Sequence, residues 1–544
     1  DLNGARTTYV WDSCLLVAVA NPLNERTSYT YNRFKSRVTE QNPLGYVTTF
    51  LFDNMNRPSG MMDALGNLST VVYSLNRKVA DVDALGNRTT YGYDVANRLT
   101  SVQDPRGYVW TNVYDNRDLV ARMDPLGNLA TSVFDGLGRQ IASVSPLGFR
   151  TTQVFDAAGQ LASSVDQLGY RTSYQYDGAG NRTVVQDASG KLTTTAYFSN
   201  RNLPEATIDA MGYRTTYAFD GQSRLVSTRD ANGGYVTNIY DTVGRLAAVQ
   251  NQLGENARQY GYDLAGRVVT FADAANRVRT HSYDAAGQNT STRFPDGTIA
   301  TFAFDALGRR TTMVDWGGTS TYSFDALGRQ TGQTDDAGFV QLYGCDPNGN
   351  RTSLNLVGTG LFTYTFDSLN RLATAQKPGN QLYTLSYDAD SRRTTMMLGN
   401  GTTRKYEYDS RSQLTTQIEF SGATPICTIV DGYDSVGNRI TRNLDGSPIT
   451  WTYDDLYRLT GQLKAGQVCT YTLDGAGNIK TMWEGGNFPR TFTFNAADRL
   501  VTMVEGANLT TYAWTGYGAL ESEITGNKAT TYAYSGQDQL VGTL

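Results

Sequence analysis

A single histidine, His281, stands in 544 residues, so no catalytic triad, histidine cluster or two-histidine metal site can be assembled from this sequence. It lies two positions before Tyr283 in an alternating stretch and reads as an ordinary sheet residue. Cysteine is nearly as scarce. Cys14, Cys345, Cys427 and Cys469 are far apart with no CxxC pair, which excludes a disulfide framework and a zinc site by spacing. A Cys427–Cys469 bridge stays open, but buried free thiols are the expectation. The longest apolar run, residues 14–20, falls well short of the roughly 18 to 20 residues of a membrane helix and reads as a strand. A basic leading region and cleavage site are missing, so it is no signal peptide. Charge of one sign never accumulates either. The 47 basic and 52 acidic residues are scattered and give a net charge of −5, so neither nucleic acid nor membrane insertion by this segment is expected.

What is present is uniform. Gly, Thr, Tyr, Asp, Asn and Arg recur from end to end without a linker or low-complexity run, which points to a repeat rather than several domains. The repeat is announced by an aromatic residue followed by Asp: Tyr93-Asp94, Phe134-Asp135, Tyr176-Asp177, Phe304-Asp305 and many others. From Trp11-Asp12 to the degenerate Tyr534-Ser535, about 25 steps of roughly 21 residues fit. The reading is one continuous array over residues 1–544.

Each period holds two turn signals. The first follows the anchor, as in Asp94-Val95-Ala96-Asn97-Arg98 or Asp135-Gly136-Leu137-Gly138-Arg139; Asp opens it and Gly or Asn takes the left-handed position. The second comes about ten residues on, as in Asp124-Pro125-Leu126-Gly127 or Ser145-Pro146-Leu147-Gly148. Two turns leave two strands, hence an antiparallel hairpin train. In residues 171–177 one face carries Thr172, Tyr174 and Tyr176 and the other Arg171, Ser173, Gln175 and Asp177, which is β alternation. The fold class is therefore all-β, with very little helix.

Stability should come from ladders of equivalent Tyr and Phe side by side, not from one deep core. The anchor Asp and the Arg after the turn, such as Asp94 and Arg98, could pair across the hairpin mouth and network along the array. The structural anchors are thus Tyr93, Asp94, Arg98, Phe134, Asp135, Gly138, Arg139, Tyr176, Asp177, Phe304, Asp305, Gly308 and Arg309. Along the chain the second turn shortens, as at Pro295-Asp296-Gly297, and the longest step, Asp409 to Asp434, carries an insertion at 421–425 that reads as a loop leaving the sheet. The sequence enters mid-repeat at Asp1-Leu2-Asn3-Gly4, begins with Asp, and shows no atypical caps, so a segment of a longer polypeptide is expected, or ends that join between molecules.

Tyr-Asp-x-x-Gly-Arg-Leu, followed by Asp-Pro-Leu-Gly and a Thr-x-Tyr strand, resembles the RHS/YD repeat over nearly the whole chain. The resemblance implies a long β strip that spirals into a hollow shell or tube, as in toxin-complex cocoons, polymorphic toxins and teneurins. In the toxins such a shell encloses a C-terminal effector cut free by an aspartyl self-cleaving segment. That segment and a non-repeat effector are not found in these residues.

Other chemistry fares poorly. No EF-hand spacing surrounds the turn Asp residues, whose turn role suffices. Asp335-Asp336 and Asp454-Asp455 are adjacent, so in a strand they point to opposite faces. Gly233-Gly234 and Gly317-Gly318 precede no helix and cradle no phosphate. Trp110, Trp316, Trp451, Trp483 and Trp514 could stack sugars, but packing within the sheet is the expectation. No catalytic residue, metal site or cofactor is assigned. The leading reading is a non-catalytic wall segment of a secreted or cell-surface protein, with further repeats or an effector of the same polypeptide as partners. The alternatives are an adhesion or glycan-binding module, an enzymatic or toxin role that depends on an effector elsewhere in the polypeptide, and a filament self-associating through uncapped edges.

Overall fold

The computed structural model describes residues 2–535 and 538–544. Asp1, part of the entry turn, lies outside the described residues. Among the described residues there are fifty-two strands and no helix, so none is long and apolar enough to cross a membrane. Strands are four to ten residues long and pair antiparallel with their neighbours in sequence, for example Arg171–Tyr176 with Arg182–Gln186. This is the tandem hairpin class.

The two turns of each period share one construction. In Asp94–Arg98 the Asn97 N–H donates to the Asp94 carbonyl and the Asp94 N–H to the Arg98 carbonyl; in Asp83–Asn87 the same two bonds form through Gly86. This is a type I turn closed by one left-handed residue. Asn97 has φ 65° and Gly86 φ 83°, values that Asn and Gly reach at low cost. The turns differ in register. Beside each first-kind turn the pairing slips by one: Tyr176 faces Arg182 while Gln175 faces Val184. The bulge bends the strand at the anchor.

The chain divides into two compact units. One comprises residues 1–130, 260–271 and 278–385; the other comprises 131–259, 272–277 and 386–544. Neither has a deep core, since no large side chain is fully buried. Most of what is buried is small: Ala80 and Ala121 in the first unit, Ala142, Ser163, Ala206 and Ala248 in the second, at matching positions in the strand after a first-kind turn, with Tyr406 and Asp431 of the second unit as larger buried residues.

Three expectations are corrected. Residues 421–425 do not leave the sheet. Strands Leu414–Ser421 and Thr424–Tyr433 run on to a tight turn at Gly422, so the extra residues lengthen a hairpin whose backbone groups are already paired. The four cysteines are free but not buried: Cys14 is exposed and the others half-buried, because a single sheet has no interior to hide them. Nor do anchor aromatics stack as a continuous ladder. Only four ring–ring contacts occur among the described residues, such as Phe198–Phe219 at 6.3 Å, because an arginine lies between successive anchors.

Candidate functional site

The repeated feature is a rivet at those first-kind turns that end in arginine. Asp305 Oδ1 accepts the Leu307 and Arg309 N–H groups, and its Oδ2 accepts Arg309 Nε at 2.6 Å. The guanidinium then reaches the next hairpin, donating to the Asp325 carbonyl at 2.9 Å and lying 4.8 Å over the Phe324 ring. Arg98 does the same from Asp94, to the Asn116 carbonyl and the Tyr114 ring at 4.7 Å. One arginine thus makes a charge-assisted pair, a carbonyl bond and a cation–π contact, which a planar five-donor fork can do and a lysine cannot. Where the anchor is Tyr, its hydroxyl adds a bond back: Tyr114 to Leu99 O at 3.0 Å, Tyr176 to Leu161 O at 3.0 Å.

The residues singled out from sequence gather turn by turn. Tyr93, Phe134, Tyr176 and Phe304 each end a strand. Asp135 binds Arg139 at 2.7 Å, and Asp177 takes Asn181 at 2.9 Å in place of an arginine. Gly138 and Gly308 hold φ 76° and 78°. The backbone N–H groups of Arg98 and Arg139, helped by their side chains, hold Asp94 and Asp135 below the usual carboxylate range. For Asp305 burial pushes the other way, and the bonds from Arg309 outweigh it.

Within each unit the strip also meets itself at a distance. In the first, Glu25 pairs with Arg267 at 3.2 Å and Arg106 with Asp346 at 3.4 Å. In the second, Asp390 accepts Ser145 Oγ at 2.8 Å, Asp166 pairs with Arg411 at 3.1 Å, and Asn232 donates to Asp474 at 3.1 Å. A second-kind turn here faces a first-kind turn some 240 residues later. The aromatic residue after the second-kind turn lies under an arginine: Phe149 under Arg392 at 5.4 Å, Tyr170 under Arg411 at 5.4 Å, Tyr213 under Arg458 at 5.9 Å. Sequence reasoning missed this seam. Its signal was Tyr or Phe after Leu-Gly or Met-Gly, matched by an arginine one long period on.

Several of the remaining candidates make structural contacts. His281 Nδ1 lies 2.9 Å from Thr292 Oγ1, and burial together with Arg279 lowers its pKa. Asp454 binds Arg458 while Asp455 binds Lys191, so the adjacent carboxylates serve different cations. Trp110 lies under Arg122, Trp514 donates to the Leu500 carbonyl, and Trp316 meets Phe294 edge-on. Among the described residues no three His, Cys, Asp or Glu side chains gather as a metal site would need.

Geometry and turn chemistry together define a tandem β-hairpin repeat protein. The RHS Repeat family model matches residues 63–109, 155–192, 262–299 and 283–320, so RHS repeats lie in those stretches. No curated protein sequence matches it. Among solved structures, it resembles the TcdB2-TccC3 crystal structure at 14% identity and a TM-score of 0.61, over 98% of this chain and 40% of that one. A TcdB2-TccC3-Cdc42 structure gives 13% and 0.62, over 99% and 41%. The Photorhabdus luminescens Tc holotoxin pore with a substituted TccC3 gives 14% and 0.63, over 99% and 38%. The chain spans about two fifths of the length of those chains.

Proposed function

We propose that this chain is a non-catalytic section of wall in a large secreted or cell-surface RHS-repeat protein, one continuous array whose strip closes edge to edge around a cargo. The observation that carries the reading is the seam. In the second unit Phe149 and Tyr170, after second-kind turns, lie under arginines of first-kind turns, and in the first unit Glu25 meets Arg267, each across some 240 residues of sequence. A sheet that only displayed ligand-binding loops would not need complementary edges. The carboxylates and guanidiniums that a catalyst would deploy are committed to rivets and seam pairs, which suits a wall. The similar Tc structures are complexes of more than one component, and by analogy the enclosed partner here is an effector or further repeats of the same polypeptide.

Negative-stain electron microscopy of the purified full-length parent protein tests this. Hollow particles are expected, with the interior segment resisting protease until the particle is denatured. Open ribbons or fibres, with every segment cut at the same rate, would overturn it.

A further inference from the structure

In residues 42–213 five second-kind turns end in Tyr or Phe, and four of those rings carry a guanidinium: Tyr108 that of Arg106 in its own turn, at 4.8 Å, and Phe149, Tyr170 and Tyr213 those of arginines in the facing turns. Tyr46 is the fifth, and among the described residues no cation covers it. The seam spacing that joins Glu25 to Arg267, 242 residues, leads from Tyr46 to residue 288. The turns on either side, Asp263–Arg267 and Asp305–Arg309, place arginine at the corresponding position. Here it is Gln288.

The missing guanidinium leaves a defined space. A cleft of about 650 Å³ within the first unit is lined by Tyr46, Asn42, Glu25, Glu40, Arg267 and Gln288. Gln288 Oε1 is buried there without a hydrogen-bond partner, and Tyr46 remains 37% exposed. Glu25 accepts Arg267 Nη1 at 3.2 Å and Asn21 Nδ2 at 2.5 Å, and Glu40 is met by Arg37 at 3.1 Å through an ion pair open to water, so each carboxylate, with about four lone-pair sites, retains room for another donor. An aromatic face, two carboxylates and a lone amide oxygen in a space of ligand size match a planar cation with several N–H donors.

We propose that the Tyr46 cleft binds an arginine side chain of a peptide segment from outside these residues, in the place that Arg392, Arg411 and Arg458 fill over Phe149, Tyr170 and Tyr213. The inference rests on the seam pattern and stands whether or not the strip encloses cargo.

Saturation-transfer NMR on the whole chain tests it, with N-acetyl-arginine amide as probe and N-acetyl-citrulline amide as its uncharged isostere. Transfer to the arginine probe should exceed that to citrulline by about tenfold. Gln288→Arg, which supplies the cation from within, and Tyr46→Leu, which removes the ring, should each abolish the difference. Gln288→Arg should also melt higher than the parent. Equal transfer to both probes, an arginine signal unchanged in either variant, or a lower melting point for Gln288→Arg would overturn the proposal.

Discussion

The Tyr457 hydroxyl donates to the Asp187 carboxylate, 270 residues earlier, from a backbone with φ of 62°. Most other turns give that left-handed position to Gly, Asn, Ser or Asp; here it goes to an aromatic side chain, whose hydroxyl also lies 2.5 Å from Ser189 Oγ. Burial and the Asp187 bond push the phenol up to about 12. Local strain is thus offset by a seam contact. Tyr457→Phe keeps the strain and loses the bond, and should destabilise the second unit by about 1 kcal/mol. Tyr457→Gly relieves the turn but also loses the bond. Hydrogen exchange at residues 187–191 should quicken in both variants; no change in either would show that the contact holds nothing.

Arg309 serves three partners at 18% side-chain exposure. Arg309→Ala should cost about 2 kcal/mol locally, and Arg309→Lys should recover less than half, because an ammonium cannot hold Asp305 and cover Phe324 together. Exchange rates over residues 305–325 provide the measurement, since a repeat array need not unfold in one step.

Gly138 has φ 76°, and an added Cβ would touch nothing. Gly138→Ala should therefore cost about 1 kcal/mol from backbone conformation alone. Gly138→Asn should be nearly neutral, because Asn56, Asn97 and Asn370 already hold φ 59° to 65° at equivalent positions. Thermal melts of the two variants should separate; equal losses would place the cost elsewhere.

Acid should loosen the rivets together. Hydrogen bonds from Arg98, Arg139 and Arg224 hold Asp94, Asp135 and Asp220 below 3.8, and the Asn181 side chain does the same for Asp177. A carboxylate depressed in the folded state contributes its full stability above the ordinary value and loses it as pH falls through the folded one. Melting temperature should drop steeply below about pH 4. His281, also depressed, adds a small loss that starts as pH falls below 6.5, where the unfolded chain takes up the proton first. A melting temperature unchanged from pH 5 to pH 3 would contradict this account.

Hairpins and turns were legible because their causes are local. Asp94 and Arg98 close a turn with groups four residues apart, and alternation in Arg171–Tyr176 sorts the faces within one strand. The Asp–Arg pairing was legible for the same reason. The seam was not: Phe149 and Arg392 are brought together by the path of a whole strip, and nothing near Phe149 marks its partner. Aromatic neighbours were legible only as a periodicity. Tyr93 and Tyr114 recur at the right interval, but the recurrence does not show that Arg98 lies over the second ring. The Tyr46 gap becomes readable only once the seam spacing is known.

The seam also makes length a selected quantity. Glu25 finds Arg267 after 242 residues, Asp104 finds Asn348 after 244, and Ser145 finds Asp390 after 245. A substitution in a strand is felt by its neighbours alone. Gain or loss of one whole repeat between two such partners would leave every hairpin well formed and shift every later pair by one tooth, as in a mis-threaded screw. A change of length between two such partners is therefore felt along the whole seam.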